Sequence, residues 1–262
     1  PNCADTNYAW NPSSCGAKWT SIGNSPQLMV ALLDQLVNRA GVAQSDITMG
    51  DPTGLWVNEL YNPVHGAFPG VNYLDARGTL GRTKATTGST RLYWSAPAAE
   101  TAGKSQDYLL RALDDAKYMI NLAILKSHNR AGITVTAKNH YGSLMGASDV
   151  MRKPTTAGFY DLHGRLPLET QAAQPPTGNR TLMAQYRPLV DMNGHAGMGG
   201  KTILHLLDAI YAGKGWDGIP SKWTMAPFNN DWPQSVFLSM DPVAIDSVAF
   251  DFLREQWPDH VL

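Results

Sequence analysis

The spacing of apolar residues along the chain changes repeatedly between the repeat of a helix and the runs of buried strands. Ser25 and Pro26 predict the start of a helix, as N-cap and first-turn residue, and Gly41 predicts its end. One face of this helix is apolar, formed by Leu28, Leu32, Leu33, Leu36 and Val37. Residues 47–50 then predict a short strand, which completes a helix–strand unit typical of parallel sheets.

The rest of the chain repeats this alternation. The predicted elements are a helix at 105–116, strands at 118–125 and 133–137, a helix at 203–211, a strand at 236–238, and a helix from Asp241 to about Trp257. The strand at 118–125 is almost continuously apolar, which is typical of a strand covered on both faces.

Taken together, these elements predict one α/β domain over residues 1–262. We expect a three-layer sandwich with a mainly parallel sheet and long Gly/Pro-rich loop excursions. The irregular parts are an N-terminal polar loop at 1–25 and insertions at 150–200 and 213–233. Long loops within compact domains are usually functional or disordered.

Composition excludes several classes of partner. The formal net charge is -1 and charged residues make up 16%, so there is no basic surplus for a nucleic-acid backbone. The apolar runs are too short to predict a membrane span. The chain has two cysteines, Cys3 and Cys15, which do not form the cysteine run of an iron–sulfur cluster. They are either a disulfide, which favours an exported protein, or two unrelated thiols. The sequence leaves a homo-oligomer open.

Two Lys-x-His motifs follow directly on predicted strands and form the densest polar cluster. The first holds Lys126 and His128, and the second holds Lys138, Asn139 and His140. In α/β sheets, ligands bind outside the carboxyl ends of strands. Histidine carries protons near neutral pH, and lysine binds anions. We predict that these five residues are catalytic; the alternative is a solvated basic loop.

Further polar residues complete the predicted site. Asp191 and His195 stand before a predicted helix, where they suit a divalent-metal shell, a proton relay or the turn chemistry of a helix entry. The predicted substrate-binding residues are Ser143, Asn193, Lys201 and Asp246.

Asp246 is predicted to neutralise a lysine of the site. It lies among apolar residues in the first turns of the last helix, where a carboxylate needs a partner. Lys126 and Lys138, if they converge, need a counter-charge. We therefore expect an ion pair between Asp246 and one of them. Asp208 is a similar case.

Tryptophans in polar loops suggest a second type of contact. These are Trp10, Trp19, Trp216, Trp223 and Trp232. Such side chains suit a sugar or another flat polar ligand, or they anchor the loops to the core.

The motifs resemble those of a known family. Lys-x-His at 126–128, Gly-x-Thr at 132–134 and Lys-Asn-x-x-Gly at 138–142 resemble the signature of the domain-of-unknown-function family 362. Residues 207–210 and 241–246 resemble its later motifs. The resemblance begins at about residue 24 and is strongest to an exported bacterial branch. It implies an α/β fold, the positions of the site and a periplasmic or extracellular location, but it names no reaction.

The sequence as a whole predicts an exported enzyme that acts on a small polar or anionic substrate through a Lys/His/Asn site at strand ends, with or without a divalent metal. The alternative is a non-catalytic binding or self-assembling structural protein. Its support is the long loops and the lack of a complete catalytic constellation.

Overall fold

The structure is a computed structural model that describes residues 6–10, 23–52, 54–95, 106–128, 132–145, 188–215 and 219–259. Cys3 and Cys15, with their predicted disulfide, lie outside these residues, as do Trp19, Trp216 and the segment 150–187. Within the described part of the chain, no helix combines the length and apolar character that crossing a membrane requires.

The described residues form a mixture of helices and strands. The α-helices are α1 (Pro26–Asp34), α2 (Asn58–Ala67), α3 (Arg111–Asp115), α4 (Thr136–Asn139), α5 (Pro188–Gly194) and α6 (Pro242–Gln256). The strands are β1 (Thr48–Asp51), β2 (Asn72–Asp75), β3 (Thr83–Lys84), β4 (Thr87–Tyr93), β5 (Gln106–Leu110), β6 (Met119–His128), β7 (Gly132–Thr134), β8 (Leu144–Met145), β9 (Thr202–Gly213) and β10 (Ser235–Ser239). The predicted α/β class is confirmed.

The described strands form three sheets rather than the predicted mainly parallel one. The sheet β1-β2-β3 is parallel, and the sheet β4-β5-β8 is antiparallel. The third has the order β10-β9-β6-β7, with a parallel central pair and antiparallel pairs on both sides. The prediction fails partly because β7 follows β6 after a short connection, which permits only an antiparallel return. The three-layer packing stays a prediction.

Two of the predicted helix starts are confirmed by their caps. The Ser25 hydroxyl accepts a hydrogen bond from the Leu28 amide at 3.1 Å, and Pro26 occupies the first turn. At α6, the Asp241 carboxylate accepts from the amides of Val243 and Ala244 at 2.8 and 3.1 Å. Because an N-cap hydrogen bond depends only on neighbouring residues, it forms in the folded protein as the sequence predicts.

Three predicted elements are wrong. Residues 202–213 form strand β9 rather than a helix, because a continuously apolar run fits a doubly covered strand as well as a helix. Residues 106–110 form β5, and only 111–115 are helical. The strand predicted at 133–137 ends at Thr134, and α4 begins at Thr136. Lys138 therefore lies on a helix and not at the end of a strand.

The central pair of strands, β6 and β9, contributes to packing on both faces. Toward α6, Leu125 and Leu207 are buried in a cluster that includes Leu253 of that helix. On the opposite face, the Asp208 carboxylate accepts a hydrogen bond from the Ser25 amide at 2.7 Å, which fixes the start of α1. Asp208 thus has a structural partner.

Of the two interpretations of the loop tryptophans, ligand contact and loop anchor, the structure supports the loop anchor for Trp223. Trp223 is 0% exposed and packs edge-on against Phe228 and Trp257, with ring centroids 5.2 and 5.5 Å away, so it anchors the 219–233 loop. Trp10 and Trp232 are only partly buried.

Candidate functional site

The short helix α4 is held at its start by a residue from α6. The Asp246 carboxylate accepts hydrogen bonds from the Thr136 amide at 2.9 Å, the Thr136 hydroxyl at 2.5 Å and the Ala137 amide at 2.9 Å. Val135, at the N-cap position, makes no side-chain cap, so Asp246 performs that task from a distant part of the chain. Its described partners are Thr136 and Ala137, whereas the sequence predicts Lys126 or Lys138.

Two asparagines join α4 to strand β6. The buried Asn121 side chain donates to the Thr136 carbonyl at 2.8 Å. The Asn139 side chain donates to the Asn121 side-chain oxygen at 2.7 Å and to the Leu122 carbonyl at 3.2 Å. Asn139 is exposed, so this chain of hydrogen bonds runs from the surface into the interior.

Beneath this network lie two buried histidines, His140 and His205, which are 0% and 2% exposed. Neither ring nitrogen of His140, nor Nδ1 of His205, has a hydrogen-bond partner among the described residues. We call His140, His205, Asn121, Thr136 and Asp246 the histidine cluster.

Burial controls the ionisation of this cluster. It lowers the pKa of His140 to about 4, with a smaller contribution from the positive charge of His205. Burial also lowers the pKa of His205, although Asp246 and Asp241 oppose this. The pKa of Asp246 is raised by burial, against the hydrogen bonds from Thr136 and Ala137. His140 is consequently a neutral imidazole at neutral pH, with one donor and one acceptor nitrogen.

Unpartnered polar atoms are concentrated around α4. Eight buried side-chain atoms of the described residues lack a hydrogen-bond partner, and five of them belong to Thr134, His140, His205 and Asn193. Thr134 lies just before α4, and the Asn193 side chain donates to the Ala137 carbonyl at 3.3 Å. Since buried polar groups in native proteins are normally hydrogen-bonded, their concentration here makes this region the candidate site.

The two Lys-x-His motifs lie on different elements, the first on β6 and the second at the end of α4. Strand β6 continues through Lys126 and His128, so both lie on one face of the strand, opposite Thr134 and Gly132 of β7. Asn139, in contrast, contacts β6 at Leu122. Lys126 and His128 are four and six residues further along, about 13 and 20 Å at 3.3 Å per residue. The first motif thus lies beside β7, whose Thr134 leads into α4, and its role in the site stays a prediction.

Lys138 and Ser143, two further predicted site residues, lie on the same short segment of the chain as His140. The Lys138 ammonium lies 5.0 Å from the centre of the Tyr141 ring, a cation–π distance. Ser143 is 8% exposed and closes the helical turn His140–Ser143. The structure thus brings together Asn139, His140 and Asp246 of the predicted site.

Lys201 makes three hydrogen bonds to backbone carbonyls, and its role in substrate binding stays a prediction. Its ammonium donates to the carbonyls of Leu113, Asp114 and Ala116 at 2.5, 3.1 and 2.7 Å, at the end of α3. An ammonium has three donors, and all three are used here. A substrate would have to displace them.

The predicted metal ligands Asp191 and His195 both form hydrogen bonds with other parts of the chain. The Asp191 carboxylate accepts from the Ser95 amide at 2.8 Å and from its hydroxyl at 2.9 Å. His195 Nδ1 accepts from the Gly197 amide at 3.0 Å, so Nε2 carries the proton, 3.1 Å from the Arg91 carbonyl. Among the described residues, no group of three or more His, Cys, Asp or Glu side chains suits a metal ion.

Sequence reasoning missed His205 and Asn121. Each is a single polar residue within an apolar run, in Leu204-His205-Leu206 and in Ile120-Asn121-Leu122. A polar side chain buried in such a run needs a partner, and that was the available signal. Their pairing across β6 and β9 became visible only in the sheet register.

A separate cavity of about 560 Å³ lies at the start of α1. The described part of its lining includes Trp10, Asn24, Glu59, Leu60 and Tyr211. The histidine cluster is not part of this lining.

The fold and the cluster define an α/β protein with a buried imidazole site. A family model described as domain of unknown function (DUF362) matches residues 25–251, and the chain belongs to this family. The resemblance noted in the motifs is thereby confirmed. Comparison with curated proteins and with solved structures finds no match.

Proposed function

We propose that the chain is an enzyme that acts on a small polar or anionic substrate at the histidine cluster, where His140 exchanges a proton with the substrate. The observation that carries this proposal is that His140 is fully buried and has no partner for either nitrogen among the described residues. A buried polar group without a partner costs about 1–3 kcal/mol. Selection for stability alone would replace it, so a role in binding or catalysis is the better explanation.

The surrounding residues suit such a role. A neutral imidazole acts as a general base through one nitrogen and as a donor through the other. The hydroxyl of Thr134 and the side-chain oxygen of Asn193 offer further hydrogen bonds. Lys138 supplies positive charge for an anionic group, and Asn139 links the cluster to the surface.

A ligand-binding assay tests the proposal. Phosphate, sulfate, malonate and lactate are added separately, and the shift in melting temperature is measured for the native protein and for His140→Phe. We expect at least one shift that His140→Phe abolishes. The matched control is His65→Phe, since His65 stacks on Tyr61 at 4.7 Å and should retain its stacking. Equal shifts in all three proteins, or none at all, would count against the proposal.

Export is part of the same proposal. Its support is the pair Cys3 and Cys15, without other cysteines in the sequence, and the resemblance to an exported branch. Intact mass with and without reductant should differ by about 2 Da for one disulfide. Free thiols in protein isolated under alkylating conditions would weaken the case for export.

A further inference from the structure

Strand β10 forms one edge of the four-stranded sheet. It pairs in regular antiparallel register with β9, from Ser235 opposite Ala209 to Ser239 opposite His205. On its other side, no strand pairs with it in the described part of the chain. Natural edge strands are usually protected by lysine, proline or a bulge. Residues 235–239 read Ser-Val-Phe-Leu-Ser and have none of these features.

The outer side chains of β10 are apolar as well. Val236 is 39% exposed and Leu238 is 60% exposed, and Met240, the next alternate residue, is 80% exposed. Alternate residues share one face of a strand. Phe237 points to the other face and packs against Phe252 of α6, with ring centroids 5.4 Å apart. The strand is thus anchored on one face and presents an apolar row on the other.

We propose that β10 pairs antiparallel with β10 of a second copy of this chain, which joins two four-stranded sheets into one. The symmetry of the sequence of β10 points to a second copy as its partner. With Phe237 on the two-fold axis, Ser235 of one copy lies opposite Ser239 of the other. Val236 then lies opposite Leu238, so apolar residues meet apolar residues on the exposed face.

Charge and symmetry support a second copy over an unrelated strand. Residues 235–239 carry no charge, and the formal net charge of -1 gives two copies little mutual repulsion. A two-fold interface uses the same surface twice and must be self-complementary, which this palindromic pattern satisfies. An unrelated partner would have no need for such a pattern.

Sedimentation equilibrium of the full 262-residue chain, from micromolar to millimolar concentration, tests the dimer. We expect dimerisation in the native protein and a Kd at least about tenfold higher in Leu238→Lys, because a lysine on the edge opposes strand pairing. The Leu238 side chain is mostly exposed, so the variant should fold. The matched control is Tyr93→Lys, which changes a 66% exposed residue on β4 of another sheet and should leave the Kd unchanged.

Hydrogen exchange at the amides of residues 235–239 identifies the interface. Their protection should rise with the concentration of the native protein and stay low in Leu238→Lys. The proposal is overturned by a chain that is monomeric throughout, by a dimer that Leu238→Lys leaves intact, or by a dimer that Tyr93→Lys disrupts. A dimer without concentration-dependent protection of these amides overturns strand pairing in particular.

Discussion

The replacement His140→Phe should remove the contribution of His140 to the pH dependence of stability, which acts between about pH 4 and pH 6.5. In the folded chain, burial lowers the pKa of His140 to about 4, compared with 6.5 for an unburied histidine. Between these values, the unfolded chain binds a proton that the folded chain does not. Stability linked to His140 is therefore fully present above pH 6.5 and is lost as pH falls toward 4.

The magnitude follows from the size of this window. A difference of one pKa unit corresponds to about 1.4 kcal/mol, so the native protein should lose about 3 kcal/mol through His140 between pH 7 and pH 4. The His140→Phe variant does not lose this stability, because phenylalanine binds no proton. The variant should therefore gain about 3 kcal/mol relative to the native protein over that interval.

At neutral pH the same variant should be at least as stable as the native protein. The phenyl ring removes two buried nitrogens without described partners, which relieves about 1–3 kcal/mol, and its slightly larger size opposes part of this gain. A loss of several kcal/mol at pH 7 would instead mean that the imidazole is hydrogen-bonded in a structural role.

Denaturant unfolding at pH 7, 6, 5 and 4, followed by tryptophan fluorescence, measures these differences. Titrations that both proteins share cancel in the comparison, except for those of His205 and Asp246, which interact electrostatically with each other and, through His205, with His140. His65→Phe serves as the reference for a histidine outside the cluster. If the difference between His140→Phe and the native protein is constant from pH 7 to pH 4, the buried neutral imidazole is refuted.

Other contacts give further predictions. Asp246→Asn should lower the free energy of unfolding by about 1–3 kcal/mol, because an amide leaves one donor at the start of α4 without its acceptor. Thermal unfolding of this variant, compared with that of Thr136→Val, distinguishes the contribution of the carboxylate from that of the hydroxyl. Asp208→Asn should cost a similar amount and speed hydrogen exchange at the Ser25 amide; unchanged exchange would contradict the anchor. Lys201→Met should cost about 1–3 kcal/mol in denaturant unfolding and leave any ligand-induced thermal shift intact; loss of that shift would restore Lys201 to the site.

Much of the local structure could be predicted from the sequence. The starts of α1 and α6 follow from Ser25-Pro26 and Asp241-Pro242, since a cap and a first-turn proline act within a few residues. The strand at Met119–His128 follows from its continuous apolar run. The family motifs also pointed to Asn139, His140 and Asp246, which the structure places in one region.

The assembly of the site depended on tertiary structure. The apolar run at Thr202–Gly213 suits a helix or a covered strand equally, and only its pairing with β6 selects the strand. That choice also brings His205 opposite Asn121, where its charge reaches His140. Periodicity alone contains no information about which distant strand will be the neighbour.

The partner of Asp246 also shows which part of the site the sequence predicts and which part depends on the fold. From the sequence, a carboxylate within an apolar helix needs compensation, and that requirement holds in the structure. The sequence suggests a lysine because opposite charges attract, but the described partners are backbone amides and a hydroxyl at the start of α4. Unsatisfied amides at a helix start exist only once that helix has formed and packed against α6. The need for a partner is therefore a property of the sequence, whereas the identity of the partner is a property of the fold.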